Sequence, residues 1–64
     1  MKRVTFYFVT GAGLTSQVAW VAEDLNPADL GHADFIYNAE VRSRGVKTGR
    51  MTIRMEHVAF WTYD

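Results

Sequence analysis

Residues 50–63, RMTIRMEHVAFWTY, constrain the fold of this chain more than any other stretch. Met51, Ile53 and Met55 alternate with Thr52, Arg54 and Glu56, the period of a strand with one dry and one wet face. Past His57 the residues are apolar on both sides of the pleat, so this part is either buried on both faces or meets a partner on one. An unbroken strand would put His57 on the core face with Met55 and Ala59, a costly place for an imidazole. A turn or bulge at Glu56 and His57 removes the conflict: the register flips, Val58 and Phe60 continue the core, and Trp61 and Tyr63 fall on the outer face. Two large exposed aromatics on a small sheet mark an interface; the alternative is that they pack under the connector at residues 26–34.

The rest of the chain has little else to stabilise it. At 64 residues it is expected to form one small domain with a core of limited size, and it has no cysteine for disulfides or thiolate metal sites. Oligomerisation is the remaining route to added stability. Hydrophobic residues make up 48% and aromatics 14% of the chain, too apolar for a disordered tail. No apolar run approaches the roughly 18 residues of a membrane span, and residues 4–9 are too few and too aromatic for a signal peptide. A cytoplasmic protein with no membrane partner is expected.

Residues 3–10 read as a strand, with Val4, Phe6 and Phe8 on one face and Thr5, Tyr7 and Val9 on the other. Gly11 and Gly13 supply the positive φ that a tight reversal needs. Residues 14–25 fit two patterns. Leu14, Val18, Val21, Ala22 and Leu25 have helical spacing, yet the same segment alternates as a strand, which a hairpin closed by residues 11–13 favours. Residues 26–31 read as one helical turn with Asn26 as N-cap, Pro27 at its first position and Gly31 as terminator. Residues 35–41 alternate again, and residues 43–49 read as a polar loop bracketed by glycines that joins this strand to the last one.

Catalytic constellations are missing from the pattern. Val9-Thr10-Gly11-Ala12-Gly13 begins like a dinucleotide-binding loop but lacks the third glycine, and Lys47-Thr48 lacks both glycines of a phosphate-cradling loop. His32 and His57 lie in different elements, Ser16 and Ser43 have no neighbouring base, and Glu23, Asp24, Asp29 and Asp34 have no metal-ligating or paired-carboxylate spacing. No enzyme, cofactor, metal or small-molecule substrate is expected.

Charge is the strongest polar signal. The formal net charge is zero, yet residues 1–41 carry two basic and five acidic side chains, while residues 42–54 carry Arg42, Arg44, Lys47, Arg50 and Arg54 with no acid. Those five cations are candidates for contact with phosphates or an acidic partner, with Trp20, Trp61, Tyr63 or Tyr7 available to stack on unpaired bases. A dedicated nucleic-acid binder usually has a basic excess overall, which favours a protein interface through Trp61, Tyr63 and Trp20.

The Lys2-Arg3-Val4-Thr5-Phe6-Tyr7-Phe8 opening, the Thr-Gly-rich reversal and the closing Ile53-Arg54-Met55-Glu56-His57-Val58-Ala59-Phe60 resemble small uncharacterised bacteriophage and prophage accessory proteins. The resemblance implies a small SH3-like or Sm-like β-barrel, in which a last strand, a short turn and a final strand close the sheet; it implies no activity. It departs at residues 19–30, which are richer in alanine than a barrel needs. The expected fold is mainly β: about four antiparallel strands in a twisted sheet or small open barrel with one short helical turn. The alternative is a β-α-β-β arrangement with a helix at residues 14–25. The expected function is a non-enzymatic binding module that self-associates or binds a host protein through a sheet edge and exposed aromatics, with nucleic acid as the alternative partner.

Overall fold

The computed structural model describes residues 1–63, Pro27 through its backbone alone. Five strands form one antiparallel sheet that does not close on itself: β1 (Lys2–Thr10), β2 (Gly13–Val21), β3 (Phe35–Ser43), β4 (Val46–Arg54) and β5 (Val58–Tyr63), in the order β4-β3-β2-β1-β5. The mainly β expectation holds, with five strands rather than about four, because residues 50–63 supply parts of two strands on either side of a turn. The helical segments among the described residues are two 3-10 turns, the connector Pro27–His32 and the closing turn Met55–His57. None is long and apolar enough to cross a membrane.

The helix at residues 14–25 does not form. Gly13–Val21 pairs with β1 along its whole length, from Thr10 opposite Gly13 to Lys2 opposite Val21. Thr10 sets the reversal: its hydroxyl accepts from the Ala12 amide and donates to the Gly13 carbonyl, while Gly13 takes a φ of 119°. Strand alternation then turns Ala19 and Val21 inward beside Val4 and Phe6, a use of the segment that its helical spacing could not match.

The loop at residues 43–49 is also shorter than its composition suggests. Arg44 and Gly45, with φ of 54° and 79°, make a two-residue turn, and Val46 already pairs with Ser43. Positive φ at both central positions is what such a hairpin requires, so the polar residues beyond it are free to join β4. Within β3 the alternation breaks at Asn38, whose φ is 57°. Tyr37 and Asn38 occupy β3 where β4 has only Thr52, so Ile36 and Ala39 both face the core although they are three residues apart.

The core lies between the inner face of the sheet and the two 3-10 turns. Phe6 and Leu30 are its largest fully buried side chains, with Val4, Ile36, Ile53 and Met55 around them. The connector delivers Leu30 from above: the Asn26 side chain caps the turn by accepting from the Ala28 amide, and the turn runs through Gly31 to His32 before Ala33 ends it. The Met55 amide donates to the Asp34 carbonyl, fixing the closing turn to the end of the connector.

Candidate functional site

Register places side chains on the outer face of the sheet with no freedom left. Arg3 lies opposite Trp20, Trp20 opposite Glu40, and Glu40 opposite Arg50, so these four form one row across β1, β2, β3 and β4. Each alternates with an inward neighbour: Val4, Ala19 or Val21, Ala39, Met51. Adjacent strands stand about 4.8 Å apart, which makes the row a short continuous track.

Cations crowd this track. The Arg42 guanidinium lies 4.7 Å from the Trp20 ring centroid and ion-pairs through Nε with Glu40. Stacking against an indole and pairing with a carboxylate are both natural to a planar guanidinium. The hydrogen bond from Arg42 is the main cause holding the Glu40 carboxyl below its ordinary range; partial burial opposes it, and the charges of Arg42, Lys47 and Arg50 add to it. Lys47 sits opposite Arg42 on β4, and Arg44 occupies the hairpin turn beyond. Thus Arg42, Lys47 and Arg50 gather around a single carboxylate at one end of the β3–β4 hairpin, with Arg44 in the turn beyond.

Arg54 does not belong to this group. It lies opposite Phe35 at the other end of the hairpin, with its guanidinium 5.6 Å from that ring and an ion pair to Glu56 at 3.3 Å. There it borders a groove of about 550 Å³ whose walls include Leu30, Asp34, Met55, Val58 and Trp61. His57 is exposed on the closing turn beside Glu56.

The turn at Glu56 and His57 forms as expected, but the side chains beyond it are placed differently. Phe8 pairs with Val58 and Tyr7 with Phe60, leaving Ala59 unpaired in a bulge. That extra residue reverses the faces: Phe60 turns outward, and Trp61 turns inward opposite Phe6 and packs on the core. Gly31 lies against the Trp61 ring, so the tryptophan packs under the connector, the alternative placement. Tyr63 ends the strand 56% exposed, opposite Val4 rather than on the outer face.

A second outer-face cluster was missed by sequence reasoning. Phe60 stacks on Tyr7 with centroids 4.5 Å apart, and Val9 and Leu14, 70% and 60% exposed, oppose each other at the end of the β1–β2 hairpin. The alternation of β1 already put Tyr7 and Val9 away from Phe6; the missing signal was the bulge that adds Phe60. The outer face therefore has a basic, tryptophan-bearing end and an apolar end.

The two sheet edges also differ. β4 pairs only with β3 and carries Lys47, Arg50 and Arg54, whereas β5 pairs only with β1 and has no charged residue from Val58 to Tyr63. No family model, curated protein or solved structure matches this chain.

Proposed function

We propose that this protein is a non-enzymatic binding module of phage or mobile-element origin, which accepts another polypeptide strand along β5. The absence of charge along this edge carries the reading. Sheet edges expose rows of unpaired amides and carbonyls, and proteins blunt them with charge, above all lysine. β4 is blunted in this way and β5 is not. The groove beside Val58 and Trp61 offers a place for a side chain of the added strand on the inner face, and the exposed Phe60 offers apolar area on the outer face.

A second copy of the chain is the partner that this edge fits. Antiparallel pairing of β5 with its two-fold mate brings no like charges together, whereas β4 against β4 would set arginine and lysine against their equivalents. The five-strand order, with a single 3-10 turn between β4 and β5, supports an SH3-like or Sm-like small-barrel relationship. Hydrogen exchange tests the reading residue by residue. Amides of β5 are expected to gain protection as protein concentration rises, while those of β4 do not; protection of β5 independent of concentration would count against it.

A further inference from the structure

The basic end of the outer face has no part in strand pairing along β5, and we infer that it is a binding surface for single-stranded nucleic acid. Four observations converge there. Arg42, Lys47 and Arg50 act together on one carboxylate, Glu40, leaving a local excess of positive charge in a chain that is neutral overall. Arg44 projects from the adjoining turn and adds to that excess. Trp20 lies in the same row, half-buried on the outer face, with its ring already engaged by a guanidinium. The surface itself is the face of a sheet.

Each observation selects among anionic partners. A charge cluster alone would suit any polyanion, but an indole set among cations on a sheet face suits bases that stack while their phosphates meet lysine and arginine. Duplex DNA is read by a helix or a two-stranded ribbon inserted into its major groove, whereas the cations and Trp20 here lie across the face of a sheet three or more strands wide. Unpaired bases need only a platform. An acidic polypeptide would satisfy the cations but has no planar bases to lay against the stacked pair of Trp20 indole and Arg42 guanidinium. Glu40, paired with Arg42 on the same strand, holds that guanidinium against Trp20 of β2 and so preorganises the surface.

Fluorescence anisotropy of a labelled oligothymidylate of about fifteen nucleotides provides the test. Three phosphate contacts predict an affinity that falls roughly twentyfold between 50 and 200 mM salt, from a slope of about −0.7 per contact. Replacing two exposed cations, Lys47→Ala with Arg50→Ala, should weaken binding and bring that slope below about 1. Trp20→Phe should keep binding and Trp20→Leu weaken it, with circular dichroism confirming the sheet in each variant. A duplex of the same sequence should bind more weakly, and an oligoglutamate of equal charge should compete poorly. Absence of binding at low salt, equal displacement by oligoglutamate, or indifference to the loss of Lys47 and Arg50 would overturn the inference. Thr62→Lys, which blocks the β5 edge, should leave oligonucleotide binding intact, so the two sites fail or succeed separately.

Discussion

A β-carbon on Gly31 would stand 3.4 Å from Cη2 of Trp61, so the connector and the last strand meet at this glycine with no room for more than a methyl group. Gly31→Ala should therefore be tolerated within about 0.5 kcal/mol. Gly31→Leu should cost roughly 1–3 kcal/mol by forcing the indole aside. Denaturant unfolding followed by tryptophan fluorescence measures both, and the leucine variant should also shift the native emission as Trp61 gains water.

Phe60 and Trp61 are neighbours in sequence with opposite environments. Trp61→Ala removes a ring packed on the core and should destabilise the fold by at least about 2 kcal/mol. Phe60→Ala removes an outward ring stacked on Tyr7 and should cost only about 1 kcal/mol while weakening self-association. Thermal melts and concentration-dependent mass separate the two effects.

Arg44 holds a φ of 54°, unfavourable for a residue with a β-carbon and a long side chain. Asparagine accepts that conformation and precedes glycine in the commonest two-residue hairpin turns. Arg44→Asn should stabilise the protein by roughly 0.5–1 kcal/mol, a rise of about 3–6 °C in Tm for a domain of this size.

Glu40 couples stability to pH. Its folded pKa lies below the unfolded value, chiefly through the Arg42 hydrogen bond, so the carboxylate contributes stability above the ordinary carboxylate range and loses it as pH falls through that lowered value. Between pH 5 and the acid limit, Tm of the native protein should drop more steeply than Tm of Glu40→Gln. Equal slopes would show that the pair with Arg42 contributes nothing in solution.

Much of the fold was legible because a strand announces itself by alternation. Val4, Phe6 and Phe8 marked the inner face of β1, and the misfit of His57 located the turn that divides β4 from β5. Bulges were not legible, since a single extra residue leaves no mark on composition. Asn38 and Ala59 each shift the faces by one position, and the second exchanged the places of Phe60 and Trp61. In the same way, Arg42, Lys47 and Arg50 were recognisable as a group because one hairpin carries them. Arg54 was separated by the length of β4, and the contact of Arg42 with Trp20 depends on a β2–β3 register set across the connector.

Solution mass measured across a concentration series tests the β5 edge most directly. For the native chain the weight-average mass should climb from 7.3 kDa toward about twice that value as concentration rises, and Thr62→Lys, which puts a charge on the exposed outer side of the edge strand, should hold it at the monomer with the sheet intact. A native chain that stays monomeric at the highest concentration, or a dimer indifferent to Thr62→Lys, would contradict pairing along β5.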